Sequence, residues 1–260
     1  MKYGICTLSL IPCREEPADA SEMVSQLLFG EQYKILEERA KWCRIRAAYD
    51  KYESWIDRKQ VVEISREQYD SLSKSKKVPC TMDLVSVVKN STDNTLLPIL
   101  LGSTLPNWAN GKAEVDDLCF EYDGLVFDEE KTRDKSELVE NAFLYLQAPY
   151  VWGGRSPFGI DCSGFSQLVY KLSGKKLPRD AYQQADIGQT LSFVEEAEPG
   201  DLAFFDNSEG KITHVGILLE DNYIIHASGK VRIDRIDHQG IYNVDTKSYS
   251  HKLRLIKRIL

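Results

Sequence analysis

A cysteine with a short polar flank opens an apolar, helix-like run at Asp161-Cys162-Ser163-Gly164-Phe165. Two histidines follow on separate strand-like runs, His214-Val215-Gly216-Ile217 and Ile225-His226-Ala227. This order constrains the fold strongly, because the three residues can cooperate only where a helix start is packed against a sheet. Brought together, they supply a thiolate nucleophile, a general base and a residue that orients the base. Two of the chain's four histidines fall here, each among apolar and β-branched neighbours. A structural cysteine near unrelated histidines is the simpler account of any one residue; the set in this order favours catalysis.

Around these residues the pattern reads as helices first and sheet second. Leu138, Ala142, Tyr145 and Leu146 recur at helical spacing after Ser136, until Pro149 ends the helix. Residues 153–159 form a loop by composition, and 163–173 read as a helix closed by Gly174. Residues 202–205, 212–219 and 223–227 read as antiparallel strands, with Asn222 in a tight turn. The expectation over 130–260 is an α+β domain.

Upstream the period is that of strands. Residues 1–65 show near-alternating segments with turns at roughly eight- to twelve-residue intervals, the pattern of a small β-barrel. Residues 66–79 are charged and helix-compatible, a connector. Residues 80–127 are again β-like, and 128–134 form a charge-rich hinge.

Composition narrows the function classes. Net charge is −7 over 260 residues with no basic stripe, which excludes phosphate-neutralising nucleic-acid binding. The six cysteines, at 6, 13, 43, 80, 119 and 162, show no CxxC spacing, so buried free thiols are expected and a zinc site is not. Neither a metal nor a cofactor is expected. The apolar start, Gly4-Ile5-Cys6-Thr7-Leu8-Ser9-Leu10-Ile11, is short and lacks a cleavage site, so it reads as a first strand. No run approaches the roughly 18 apolar residues of a membrane span. A cytoplasmic protein is expected, or a periplasmic or secreted one if a leader has been removed.

At a loop-to-helix junction the Cys162 thiolate faces unpaired N–H groups and the helix dipole, which favour negative charge. A nearby imidazolium makes an ion pair ready to attack a carbonyl, and the same N–H groups suit an oxyanion. His214 is the candidate base, with small Gly216 leaving space for a neighbouring helix. His226, across a hairpin, orients His214 through its far nitrogen. The logic is that of papain-like sites with histidine in place of asparagine.

The segment Tyr150-Val151-Trp152-Gly153-Gly154-Arg155-Ser156-Pro157-Phe158-Gly159-Ile160-Asp161-Cys162-Ser163-Gly164-Phe165 closely resembles the nucleophile motif of the NlpC-type cell-wall cysteine peptidases. Pro199-Gly200-Asp201-Leu202-Ala203-Phe204-Phe205, His214-Val215-Gly216-Ile217 and His226-Ala227-Ser228 match the later motifs in order. The segments 21–31 and 52–56 resemble bacterial SH3-like domains. The resemblance implies a papain-like cysteine peptidase domain over 130–260, preceded by small SH3-like β-barrel units: one over 1–65 and a second, divergent one over 80–127. It implies hydrolysis of peptidoglycan stem peptides between γ-D-glutamate and a diamino acid. The layout resembles γ-D-glutamyl-L-diamino-acid endopeptidases, which need a free N-terminal L-alanine and serve muropeptide recycling.

By the same resemblance, Asp161, Ser163 and Asp180 hold the substrate amine, Tyr52 closes the cleft and Glu22 is a weaker candidate beside it. Plainer readings stand next to these: a helix N-cap for Asp161, a solvated turn for Asp180 and a barrel tyrosine for Tyr52. Arg155 would meet a substrate carboxylate or sit in solvent. His238 and His251 read as surface or loop residues. The expected partner is a peptidoglycan-derived peptide, L-Ala-γ-D-Glu-diamino acid. The alternatives are a wall-binding scaffold with a vestigial peptidase, and a papain-like amidase or acyltransferase. Lysine or diaminopimelate as the diamino acid, and the oligomeric state, are left open.

Overall fold

The structure, a computed structural model, describes residues 1–75, 79–127 and 135–260; the hinge read at 128–134 lies outside them. The described chain forms two compact units. The first holds residues up to 127 together with Gly153–Pro157, and the second holds residues 135–152 and Phe158–Leu260.

In the first unit the strands β1 (Lys2–Ile5), β2 (Leu10–Arg14), β3 (Met23–Leu28), β4 (Gln32–Glu38), β5 (Trp42–Ala47), β6 (Glu53–Asp57) and β7 (Val62–Ile64) build one antiparallel sheet, ordered β3-β2-β6-β5-β4-β1-β7. Alternate residues point inward, so Ile11 and Cys13, Tyr33 and Ile35, and Cys43 and Ile45 meet in one core with Leu27 and Ile56. The connector forms helix α1 (Arg66–Lys74), capped by Ser65, whose Oγ accepts the Gln68 N–H at 3.2 Å. Its Tyr69 stacks on Tyr3 at 4.4 Å.

Strands β8 (Val85–Asn90), β9 (Leu96–Leu100), β10 (Lys112–Val115) and β11 (Leu118–Glu121) follow as a four-stranded sheet, ordered β10-β11-β8-β9. Its core of Val88, Ile99, Leu105 and Phe120 also contains Phe29, from the turn after β3. The two sheets therefore share a core rather than standing as separate modules. Gly30, at φ +76°, allows this approach, since a Cβ there would lie 1.9 Å from the Thr104 carbonyl oxygen.

Arg155 belongs to this first unit. It is 2% exposed and makes a two-pronged ion pair with Glu31, at 2.8 and 3.0 Å, while its N–H donates to Gln26 Oε1 at 2.8 Å. Its acid is therefore Glu31, and neither the substrate-carboxylate nor the solvated reading holds. Gly153, at φ +75°, seats the same segment, because a Cβ would meet the Met23 carbonyl at 2.1 Å. Arg155→Met should strand the Glu31 carboxylate in the core and destabilise the protein by about 3–5 kcal/mol. Urea unfolding checks this, and a loss below about 1 kcal/mol would contradict the burial argument.

The second unit opens with α2 (Lys135–Phe143), which ends just before the Leu146 of its sequence pattern. The chain passes through β12 (Arg155–Ser156), which belongs to the first unit, and then the second unit continues with β13 (Gly159–Ile160), α3 (Cys162–Lys171), which is buried along its whole length, and α4 (Ala181–Ala185). Seven strands complete the chain: β14 (Gln189–Leu191), β15 (Leu202–Asp206), β16 (Ile212–Leu218), β17 (Tyr223–Ser228), β18 (Lys230–Ile236), β19 (Gly240–Asn243) and β20 (Ser248–Arg258). They are ordered β14-β20-β15-β16-β17-β18-β19, and β19 also pairs with β20, which closes six of them into a ring. The expected turn at Asn222 is there, with Asp221 and Asn222 both at positive φ, as a tight hairpin requires. Strands β18 to β20 extend the sheet beyond the three read from the sequence.

Candidate active site

Asp161 caps α3: its Oδ1 accepts the Gly164 N–H at 2.7 Å. The cap places Cys162 at the first helical position, as the loop-to-helix reading requires. Cys162 is 6% exposed, and its thiol donates to the Thr213 carbonyl at 4.0 Å, one residue before His214 on β16. Burial above all, then the charge of Asp161, pushes the thiol up to about 12. Burial also holds His214 well below the usual imidazole range, with His226 and His251 adding to it. Both shifts run toward the neutral thiol and imidazole, against the ion pair that the helix terminus alone suggests, because desolvation opposes charge on either group.

The β16–β17 register sets Gly216 opposite His226, so His214 and His226 are diagonal neighbours on one face. His214 Nε2 lies 2.8 Å from His226 Nδ1, and both rings are buried. A Cβ at Gly216 would lie 2.9 Å from the His226 Cβ and 2.7 Å from Ile224 Cδ1. The space this glycine keeps is filled by β17, not by a neighbouring helix.

Three groups join the site that the sequence reading did not place there. His226 Nε2 is 3.1 Å from Asp234 Oδ2 on β18, and Arg232 grips the same carboxylate at 2.7 and 2.9 Å. Burial opposes the Asp234 charge, but hydrogen bonds from His226, Arg232 and the Val244 N–H outweigh it and hold the group at about 2. His251, read as a surface or loop residue, lies on β20 and stacks on the His214 ring at 4.1 Å and 22°. Burial, then the charge of His226, lowers it to about 4. His238 does sit in the exposed turn before β19. The third group is Arg179, 1% exposed, which pairs with both oxygens of Asp161 and donates to Ser163 Oγ at 2.9 Å. A legible signal existed only for Asp234, an acid in a strand-like run directly after the His226 strand.

The nitrogens of His214, His226 and His251 lie within 4.8 Å of one another, a donor set able to hold a metal ion. The first two are already joined by their direct hydrogen bond.

Of the substrate candidates, Asp161 and Ser163 form one buried cluster with Arg179. Asp180 begins α4, where its N–H donates to Gln183 Oε1 at 3.1 Å, so it is a helix cap rather than a solvated turn. Gln184 ties α4 to α3 by donating to the Ser163 carbonyl at 3.0 Å. Tyr52, half-buried before β6, and Glu22, exposed before β3, belong to the first unit. All six cysteines are free thiols, five of them buried. No described helix is long and apolar enough to cross a membrane.

A buried thiol at a helix start, a histidine on the facing sheet and a second imidazole behind it are the groups that a cysteine peptidase needs. Residues 147–250 match the NlpC/P60 family and 13–61 match the bacterial dipeptidyl-peptidase Sh3 domain. The chain thus carries an NlpC/P60 domain, a class of cysteine peptidases, behind a bacterial SH3 domain. It is 26% identical over 247 residues to the γ-D-glutamyl-L-lysine dipeptidyl-peptidase of Bacillus subtilis (strain 168), covering 87% of this chain and 75% of that one. Identity to dipeptidyl-peptidase 6 of Lysinibacillus sphaericus is also 26%, over 86% of this chain and 88% of that one. The probable endopeptidase p60 of Listeria innocua is 40% identical, but over only 40% of this chain and 22% of its own length. An NlpC/P60 family protein from Bacillus cereus has the same fold, with TM-score 0.81 and 19% identity over 98% of this chain and 99% of that one. So has an NlpC/P60 endopeptidase from Photobacterium damselae subsp. piscicida, at TM-score 0.75 and 17% identity over 97% of this chain and 70% of that one.

Proposed function

We propose that the protein hydrolyses the γ-D-glutamyl–diamino acid bond of peptidoglycan stem peptides, and that it requires a free N-terminal L-alanine. The observation that carries this is the extent of the match. Relatives named γ-D-glutamyl-L-lysine dipeptidyl-peptidase align over 80% and 87% of the chain, whereas the p60 match spans 40%.

In this reading Cys162, His214 and His226 are the catalytic residues. His214 Nδ1 takes the thiol proton as Sγ attacks the γ-glutamyl carbonyl, and the Cys162 N–H, at the first turn of α3, receives the oxyanion. His214 then returns the proton to the departing amine of the diamino acid. Water, deprotonated by the same imidazole, hydrolyses the thioester and restores the thiol. Asp161 and Asp180 hold the alanine ammonium, with Ser163 lining the same subsite; Arg179 fixes Asp161 for that task. The same reading assigns the enzyme to the cytoplasm, acting on fragments recovered from the wall.

A capped amine loses the charge that these carboxylates would recognise, a penalty on the order of 2–5 kcal/mol. The free tripeptide L-Ala-γ-D-Glu-L-Lys, or its diaminopimelate counterpart, should be cleaved far faster than the N-acetylated peptide or intact wall. Comparing kcat/KM for free and acetylated peptides, with mass spectrometry of the products, tests this. Equal rates would mean that no amine subsite exists.

A further inference from the structure

We propose that Asp234 is a positioning residue of this active site: held by Arg232, it sets the tautomer of His226 and thereby leaves the lone pair of His214 on Nδ1. The proposal rests on the catalytic reading of Cys162 and His214.

The argument is one of donor and acceptor counting along a single line of buried groups. Asp234 is 1% exposed. Its Oδ2 faces Arg232 Nε at 2.7 Å and His226 Nε2 at 3.1 Å, and its Oδ1 faces Arg232 Nη2 at 2.9 Å and the Val244 N–H at 3.2 Å. Three of these four contacts come from groups that only donate, and an arginine partner keeps the carboxylate ionised. An ionised carboxylate only accepts. The fourth contact, His226 Nε2, must therefore carry its hydrogen toward Asp234.

A neutral His226 with its hydrogen on Nε2 has its lone pair on Nδ1. That nitrogen is 2.8 Å from His214 Nε2, so His214 must donate there. A neutral His214 that holds its hydrogen on Nε2 is left with its lone pair on Nδ1, the nitrogen free to take the thiol proton. Reverse the first choice and every later one reverses too, which leaves a hydrogen where the base is needed. Arg232 is itself fastened, by Asp245 at 2.8 Å and Asn243 Oδ1 at 3.3 Å, so the carboxylate cannot turn away. The hairpin supplies the placement. The β17–β18 register pairs His226 with Arg232 and Ile224 with Asp234, which puts the carboxylate diagonal to the imidazole on the same face.

Asp234→Asn tests the proposal at constant size. The new amide leaves the fewest donors opposed with its oxygen at the Oδ1 position, accepting from Arg232 Nη2 and the Val244 N–H, and its NH₂ at the Oδ2 position, toward His226 Nε2 and against Arg232 Nε alone. That nitrogen must then accept, and the reversed tautomer runs through to His214. The expected result is a fall in kcat of about 10²-fold with KM little changed. Ring ¹⁵N NMR should show His226 change from the Nε2–H to the Nδ1–H form, which a merely structural role would not produce. Wild-type kcat in Asp234→Asn overturns the proposal, and so does an Nδ1–H form of His226 in the wild-type spectrum. The wild-type spectrum decides the matter even if Asp234→Asn does not fold. Cys162→Ala is assayed alongside. If it is inactive while Asp234→Asn is fully active, this proposal alone fails; hydrolysis by Cys162→Ala marks failure of the catalytic reading beneath it.

Discussion

Cys162→Ala abolishes turnover, with an expected loss on the order of 10⁵-fold or more, because no other group can form the acyl-enzyme. The serine variant should be nearly as inactive. An alcohol is far harder to deprotonate than a thiol, and a neutral His214 held low by burial is a weak base for it. The remaining cysteines supply the contrast. Cys6, Cys13, Cys43 and Cys80 are buried and Cys119 is partly exposed, all in the first unit. Burial is the largest cause that pushes the thiols up at Cys13 and Cys43, as at Cys162, so a raised thiol does not mark the nucleophile. What marks it is position: the first residue of α3, beside β16. Substituting the other five by alanine or serine should leave kcat/KM unchanged wherever the protein folds. Hydrolysis by Cys162→Ala in a stem-peptide assay would remove the assignment.

The second large effect is at His214, and it should exceed that at His226. Removing the base leaves the proton of a buried, neutral thiol with nowhere to go, so His214→Gln should lower kcat/KM on the order of 10⁴-fold. His226 lies behind His214, 2.8 Å from its Nε2, and in the proposed mechanism it accepts from that nitrogen and orients the ring. His226→Gln retains an acceptor, and the loss should stay near 10²–10³-fold. Full activity in His226 variants would give the orienting role to another group. The pH profile adds an independent check. His214 lies below its ordinary value of 6.5, so its imidazole stays unprotonated, and competent, on the acid side of that value. The acid limb of kcat/KM should therefore fall below pH 6.5. Stability has the same sign. A histidine whose folded value is depressed takes up protons first in the unfolded chain, so folding weakens as pH falls from 6.5 toward the folded value. An acid limb at or above 6.5 would mean that the ring is charged at rest.

Local pattern and global pairing divide this molecule. The sequence by itself determined the elements whose side-chain period is locally complete: the alternating strands of residues 1–65, the helix opened by Asp161-Cys162, and strands β15 to β17 with their Asn222 turn. It also determined the chemistry class, because a cysteine at a helix start and two histidines on apolar strands remain unusual wherever the chain goes. Only the tertiary structure decided what each residue faces. His251 looks like a loop residue because β20 has a bulged register and half-exposed alternation, yet pairing with β15 and β19 brings its ring onto His214. Arg155 looks like a solvated loop arginine until a buried glutamate 124 residues away in the chain claims it. The pull of burial toward the uncharged thiol and imidazole was hidden as well, because the helix dipole is written in the local sequence, whereas desolvation is set by everything packed around the site. Contacts made across long sequence separations leave no period in the chain, and that is why the electrostatics of this site belong to the fold rather than to the motif.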